Sequence, residues 1–432
     1  MAMAQRVPAR PGTTTLSPLV REPQNVEETG LDMSFIADLV LKTIYFNSMT
    51  TAQQIADTIC LPFFNIVDRA LTLLKREEFI EVVGSSGFGE LAYQYLCTPK
   101  GSVRAHDIIE RSAYVGPAPV TLDTYRDVVK SQAIGNVRVS QADVRRATAD
   151  LVVPDDVLDI LGQAVTTGRS LFLYGEPGNG KTVLAERITE LLGGSILIPH
   201  AVTVDGQIIK VFDLHNHIPV GVPGQRTDID RRWVLCRRPY IVVGGELMLA
   251  SLDLVWDSTN KYYEAPFQMK ANGGMFMIDD FGRQQVRPSE LLNRWIVPLE
   301  KRVDYLTLHT GKKIEILFDE IIVFSTNLRP KDLVDEAFLR RIQCKVKIDN
   351  PSLDAYREIF RRQCDLLQIP FDQQALVYLL REHYVKPKRE LRACHPRDLL
   401  RTLTGIARYL ELPIALTPNL IDRACQTYFV DL

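Results

Sequence analysis

The sequence lacks the features that mark exported, membrane-spanning or strongly charged proteins. No apolar run approaches the roughly 20 residues that a helix needs to cross a bilayer, and the first ten residues contain no apolar signal-peptide segment. Basic and acidic residues nearly balance, at 51 and 53, so net charge does not indicate a nucleic-acid or anionic-membrane partner. We therefore expect a cytoplasmic protein without a membrane span.

Cysteine is also scarce. The seven cysteines are an odd number, are widely scattered and form no C-x-x-C pair. We interpret them as buried free thiols in a reducing compartment. A chain of 432 residues, 46% of them hydrophobic, is too long for one ordinary core and predicts two or three globular domains.

The strongest motif is a glycine-rich octad of the form G-x-x-x-x-G-K-T at residues 175–182. A short apolar run at 170–174 precedes it, and apolar residues at helical spacing follow it. In this strand–loop–helix context, glycines let backbone N–H groups turn toward phosphate oxygens at a helix N-terminus. The motif predicts that Lys181 contacts the β- and γ-phosphates of a nucleotide and that the Thr182 hydroxyl binds Mg²⁺.

Two further apolar runs end in polar side chains. Residues 275–278 are followed by Asp279 and Asp280, and residues 321–326 are followed by Asn327. The carboxyl ends of parallel strands face the ligand crevice in an α/β sheet. We expect Asp279 to hold Mg²⁺, Asp280 to orient or deprotonate the attacking water, and Asn327 to align that water.

This order of motifs, followed by an Arg-Arg pair within residues 337–342, resembles the AAA+ ATPases over about residues 150–432. The resemblance implies Mg²⁺-dependent ATP hydrolysis by a homo-oligomeric ring, a hexamer. It also implies that Arg341, with Arg340 as the alternative, reaches the neighbouring subunit's site. A guanidinium there neutralises charge that develops on the γ-phosphate.

The C-terminal part is strongly helical, with prolines at the borders of the helices. Four helices are predicted, at 352–368, 371–385, 395–411 and 417–430. The third resembles the AAA+ sensor-2 helix, which implies that Arg397 contacts phosphate from a helical lid. The residues assigned to the nucleotide are Gly175, Glu176, Pro177, Gly178, Asn179, Gly180, Lys181, Thr182, Val183 and Arg397.

Two alternating segments refine the resemblance. Residues 302–316 predict a β-hairpin around His-Thr-Gly-Lys, just before the Asn327 strand, and residues 201–211 predict another around Asp-Gly. The first looks like a pre-sensor-1 hairpin. With the Ala-Asn-Gly-Gly of residues 271–274, it makes the chain similar to MoxR-type ATPases and Mg-chelatase motors. The Gly-Ala-Phe-Thr-Gly-Ala loop of enhancer-binding activators is absent from the sequence.

The N-terminal part predicts three helices, at about 35–46, 52–60 and 62–78, and then a hairpin at 79–96. This layout resembles the winged helix-turn-helix family. The third helix begins with apolar and acidic residues and few basic ones, so we favour a protein partner over DNA. A winged head on such a module is similar to bacterial predicted chaperone ATPases associated with Flp pilus assembly.

The predicted fold is α/β: a P-loop AAA+ module with a parallel five-stranded sheet and flanking helices, a helical lid, and a small α+β winged-helix domain before them. The predicted divisions are a disordered tail at 1–30, the winged domain at 31–112, a linker at 113–150, the nucleotide domain at 151–350 and the lid at 351–432.

The sequence departs from the AAA+ pattern at one catalytic position. That family normally places Glu where this chain has Asp280, whose carboxylate is one methylene shorter. A displacement of about 1 Å can slow catalysis on the order of a hundredfold. Three functions therefore stay open: an ATP-driven protein-remodelling motor, a slow ATP-dependent switch, and a DNA-binding regulator.

Overall fold

The computed structural model describes residues 20–221, 229–333 and 336–429. The α-helices are α1 Val26–Thr29, α2 Met33–Asn47, α3 Ala52–Ile59, α4 Asp68–Arg76, α5 Pro99–Ile109, α6 Leu122–Ser131, α7 Gln141–Ala147, α8 Asp155–Thr167, α9 Lys181–Leu192, α10 Phe267–Ala271, α11 Pro288–Lys301, α12 Pro330–Leu333, α13 Glu336–Leu339, α14 Leu353–Leu367, α15 Gln373–Leu380, α16 His395–Tyr409 and α17 Pro418–Tyr428. The strands are β1 Thr50–Thr51, β2 Ile80–Ser85, β3 Tyr93–Cys97, β4 Val120–Thr121, β5 Leu171–Tyr174, β6 Ser195–Pro199, β7 Ala201–Val204, β8 Gln207–Lys210, β9 Trp233–Arg237, β10 Tyr240–Val243, β11 Val255–Asp257, β12 Tyr262–Glu264, β13 Met275–Ile278, β14 Val303–Thr307, β15 Lys313–Leu317, β16 Ile321–Thr326 and β17 Cys344–Lys347.

The nucleotide domain is built on a five-stranded sheet in the order β10-β13-β16-β5-β17, and all neighbouring strands are parallel. Apolar side chains on both faces of this sheet are buried, as expected for parallel strands covered by helices. The predicted fold class, an α/β P-loop module of the AAA+ type with flanking helices and a helical lid, is therefore confirmed. The strands β13, β16 and β5 lie side by side, so their carboxyl ends meet at one edge.

The N-terminal unit has the predicted order of helices and hairpin, with an antiparallel sheet in the order β1-β3-β2. Thr51 starts α3 with a capping box that Gln54 completes. The helix predicted at 62–78 is wrong in its first part. Asn65 has a left-handed φ of 65°, so residues 63–67 form a turn and α4 begins only at Asp68.

Two predicted boundaries need correction. Residues 1–19 of the predicted tail lie outside the described residues, but residues 20–30 are ordered: α1 is capped by Asn25, and Val20 is buried. The predicted linker at 113–150 is built into the fold, because β4 pairs with β7 and α6 buries Tyr125 and Val128. A two-residue strand gives no periodic signal, so its pairing was not visible in the sequence.

The long passage at residues 201–272, before the core strand β13, contributes four strands to a sheet of its own. A second sheet has the order β11-β12-β8-β7-β4. The predicted β7–β8 hairpin is confirmed, with Asp205 and Gly206 both at positive φ in its turn. The predicted β14–β15 hairpin is also confirmed.

The predicted four-helix lid is confirmed as α14 to α17, with α15 continuing into a π-helical turn at Arg381–Val385. All seven cysteines are free, three of them buried and four partly buried. Across the residues described here, no helix combines the length and apolar character that a membrane crossing requires.

Candidate nucleotide-binding site

The glycine-rich loop connects β5 to α9, as the sequence predicted. Gly175, Gly178 and Gly180 all have φ between 82° and 137°, a region that other residues rarely adopt. A Cβ atom on Gly175 would also collide with the backbone oxygen of Ile348. Gly180 is the N-cap of α9, so the loop leads directly into the positive end of that helix.

Lys181 is buried at the first position of α9. Its Nζ donates to the carbonyl oxygens of Gly175 and Glu176, at 2.9 and 3.0 Å, and to Asn327 Oδ1 at 2.7 Å. Burial lowers the pKa of this ammonium, and the nearby carboxylates of Asp279 and Asp280 oppose that shift. The lysine ammonium thus lies against the glycine-rich loop, beside the carboxyl ends of β13 and β16.

Thr182 and Asp279 are brought together, with the hydroxyl donating to Asp279 Oδ2 at 2.8 Å. A hydroxyl and a carboxylate are hard oxygen donors that suit Mg²⁺. In the described parts of the chain, no group of three or more His, Cys, Asp or Glu residues could hold a metal ion. The Thr182 hydroxyl and the Asp279 carboxylate fit a Mg²⁺ ion that takes its other ligands from phosphate and water, as is usual at phosphate-binding sites.

Asp280 and Asn327 are also adjacent, although they follow different strands. Asn327 Nδ2 donates to Asp280 Oδ1 at 3.1 Å, while its Oδ1 accepts from Lys181. Asp280 has a φ of 48°, a left-handed conformation that is uncommon outside glycine and that clusters at functional sites. Three side chains from three elements thus form one continuous hydrogen-bonded row.

The lid contributes an arginine that the sequence analysis did not identify. Arg392 Nη1 donates to Pro177 O at 2.9 Å, and Nη2 contacts Glu176 Oε2 at 3.2 Å. Arg397, the residue predicted from the sensor-2 resemblance, instead donates to its neighbour Asp398 at 2.8 Å and is about half exposed. The only sequence signal for Arg392 was a cation in the loop that precedes the third lid helix.

The same lid segment is hydrogen-bonded to the tip of the glycine-rich loop. Cys394 N donates to Gly178 O at 2.8 Å, and Ala393 N donates to Asn179 Oδ1 at 3.1 Å. A Cβ atom on Gly178 would lie 2.5 Å from Cys394 Sγ, so the two segments are in tight contact. These contacts use loop carbonyls and a side chain, which leaves the loop's backbone N–H groups for phosphate.

The two predicted trans-acting arginines lie elsewhere. Arg341 Nε donates to Glu300 Oε1 at 2.6 Å near the end of α11, and Arg340 is exposed. Arg341 shortly precedes β17, whose first residue pairs with Leu171 at the start of β5. The glycine-rich loop follows the other end of β5. Arg341 is therefore placed toward the sheet edge opposite the loop of its own chain.

Comparisons with known proteins give a partial family match and distant structural likenesses. A family described as a domain of unknown function (DUF8689) matches residues 352–427, within the lid. Comparison with curated proteins gives no match. The structure is similar to the RuvB Holliday junction branch migration motor of Thermotoga maritima, with 13% identity and a TM-score of 0.37 over 72% of this chain and 72% of that one. It is also similar to NtrX from Brucella abortus in complex with ADP, with 14% identity and a TM-score of 0.38 over 64% and 56%.

These likenesses are too distant to transfer a function. The fold class stands on this chain's own strand order and glycine-rich loop.

The lid contact leads to a prediction that separates Arg392 from Arg397. We expect Arg392→Ala to weaken ADP binding about tenfold, because the loop would lose the charged hydrogen bonds that hold it in place for the phosphates. Arg397→Ala should change the dissociation constant less than about threefold, because Arg397 is paired within its own helix. Isothermal titration calorimetry with ADP measures the dissociation constants of both variants. A larger effect at Arg397 would restore the prediction made from the sensor-2 resemblance.

Proposed function

We propose that this protein is an AAA+ ATPase that binds ATP with Mg²⁺ and hydrolyses it. The observation that carries the proposal is the convergence of Lys181, Asn327 and Asp280 in one hydrogen-bonded row, beside the Thr182–Asp279 pair. The residues lie where a phosphate held by the loop would meet the ends of β13 and β16.

Each residue has a definite role in this proposal. Lys181 binds the β- and γ-phosphates of ATP, and Thr182 with Asp279 holds Mg²⁺, which neutralises charge on the phosphate oxygens. Asp280 orients or deprotonates the water that attacks the γ-phosphorus. As the new P–O bond forms, the bond between the γ-phosphorus and the bridging oxygen breaks, and ADP leaves with that oxygen. Asn327 hydrogen-bonds both the Asp280 carboxylate and the Lys181 ammonium. It thereby keeps the carboxylate beside the group that binds the γ-phosphate.

The short Asp280 carboxylate supports the alternative of a slow ATP-dependent switch in signalling or assembly. In either case the first experiment is the same. Release of phosphate from Mg-ATP by the purified protein is measured at several protein concentrations. Measurable turnover supports the ATPase, whereas absence of both turnover and nucleotide binding would remove the proposal.

We further propose that the active form is a homo-oligomeric ring, a hexamer, that remodels a protein partner. The position of Arg341 near the sheet edge opposite its own glycine-rich loop supports completion of a neighbour's site. The β14–β15 hairpin directly before β16 supports the MoxR and Mg-chelatase-like group. The winged-helix resemblance of the N-terminal unit is the ground for proposing pilus or secretion assembly as the process. Light scattering with and without Mg-ATP tests the ring; a monomer under all conditions would contradict it.

Arg341→Ala should leave ATP binding within about twofold of wild type but lower turnover at least a hundredfold, because arginine fingers contribute roughly 10³–10⁵ to kcat. Arg340→Ala is the matched control and should retain turnover. Mixing Arg341→Ala with Lys181→Ala subunits should restore part of the activity, because an interface that takes its loop from the first variant and its arginine from the second is intact. No restoration on mixing would argue that Arg341 acts within its own chain or not at all.

We propose that the N-terminal unit, taken as a winged helix, recruits a protein partner. Its hairpin tip carries Phe88, which is fully exposed, and Val82 and Val83 are exposed on β2. An apolar β2–β3 hairpin is better suited to contact a protein surface than to bind the phosphate backbone of DNA, because phosphate binding requires basic side chains. DNA binding remains the alternative, and a mobility shift with duplex DNA at low salt tests it.

A further inference from the structure

The backbone turn that carries Asp280 depends on an unusual conformation. Asp280 is left-handed, and the turn is tied to β16 by Phe281 N donating to Ser325 O at 2.7 Å. Thr326 Oγ1 donates to Phe281 O at 2.8 Å from the same strand. These bonds fix Phe281, and a backbone bond from Arg283 N to Asp280 O, at 2.9 Å, closes the turn, but none of them holds the carbonyl group of Asp279.

The Gln284 side chain holds the carbonyl group of Asp279 and gives that of Asp280 a second donor. Gln284 Nε2 donates to Asp279 O at 2.9 Å and to Asp280 O at 3.2 Å. Its Oε1 accepts from Gly282 N at 2.8 Å. A further contact of 3.4 Å joins Nε2 to Gly244 O, just after β10. A single amide thus spans the turn from Asp279 to Gly282 and ties it to the neighbouring strand end.

We propose that Gln284 is a positioning residue for ATP hydrolysis, and that it sets the direction of the Asp280 carboxylate toward the attacking water. This inference rests on the proposed ATPase function and deepens it. The short carboxylate of Asp280 can serve only from one backbone orientation, and the Gln284 amide maintains that orientation. Gln284 itself contacts neither phosphate nor water in this assignment.

The chemistry of the contacts requires an amide at this position. The Asp279 carbonyl oxygen accepts from the amide nitrogen of Gln284 and the Gly282 N–H donates to its amide oxygen, so this side chain acts as donor and acceptor at once. Asp280 O accepts from Gln284 in addition to the backbone N–H of Arg283. A carboxylate at residue 284 would face two carbonyl oxygens without a proton to donate. A thioether of similar length would fill the space but make neither strong hydrogen bond.

The test compares Gln284→Met and Gln284→Glu with Gln285→Met, which changes the exposed neighbouring glutamine. We expect both Gln284 variants to lower kcat at least tenfold, while KM for ATP and the ADP dissociation constant change less than about threefold. The control should match wild type. Equal losses in kcat and in ADP binding, or an unchanged kcat, would overturn the inference. Gln284→Glu has nearly the same shape as the native side chain, so it still provides the test if Gln284→Met does not fold.

A double-mutant cycle with Asp280→Asn separates positioning from general stability. If Gln284 acts through the Asp280 carboxylate, Gln284→Met should have little further effect on kcat in the Asp280→Asn background. A full additive loss would mean a purely structural role and would overturn the inference. Wild-type ATPase activity is measured in the same series. Its absence would count against the proposed function, whereas active wild type with unchanged Gln284 variants counts against this inference alone.

Discussion

Lys181→Ala is expected to raise the dissociation constant for ATP more than a hundredfold. The ammonium would make charged hydrogen bonds to two phosphates, each worth about 1.5–3 kcal/mol, and about 1.4 kcal/mol corresponds to tenfold in affinity. Its charge also interacts with the carboxylates of both Asp279 and Asp280. Without it, two carboxylates would repel the triphosphate. Titration with a fluorescent ATP analogue measures the loss.

Lys75→Ala, which changes an exposed lysine on α4, serves as the control and should bind ATP normally. A second variant, Lys181→Met, keeps the volume of the buried side chain and separates lost charge from lost packing. Thermal unfolding confirms that each variant is folded. ATP binding by folded Lys181→Met at wild-type affinity would show that the nucleotide site has been placed at the wrong loop.

Much of this site could be predicted because its signals are local or follow from one topological rule. The octad at 175–182 carries its own strand, glycines and helix start. The meeting of Asp280 with Asn327 required only that parallel strands present their carboxyl ends at the same edge. The structure places β13, β16 and β5 side by side, which brings the two residues to Lys181.

Other features depend on contacts that no local pattern records. Asn65 interrupts the first part of the predicted third helix by adopting a left-handed conformation, so α4 begins only at Asp68. β4 is two residues long and exists because β7 lies beside it. Arg392 lies on a loop whose position is set by packing of the lid, and Gln284 gains its contacts only after the Asp280 turn has formed. Such side chains carry no signal at helical or strand spacing.

Asp280→Asn is expected to lower turnover on the order of a thousandfold while preserving ATP binding, because a general base typically contributes roughly 10²–10⁴ to the rate. The amide has nearly the same shape as the carboxylate and is compatible with the left-handed backbone, since Asn tolerates that conformation well. The change removes the charge that would accept a proton from water. Single-turnover hydrolysis and ATP titration give the two quantities separately.

Asp354→Asn, at an exposed acid in the first turn of α14, controls for loss of one negative charge. Asp280→Glu then distinguishes the motor from the slow switch. If carboxylate reach limits the rate, the longer side chain should accelerate hydrolysis. If the turn held by Gln284 already directs Asp280 correctly, glutamate would overshoot Asn327 and slow the reaction. Retained turnover in Asp280→Asn would contradict both interpretations, because the carboxylate would then have no part in activating water and the base would have to be sought at another residue of the loop edge.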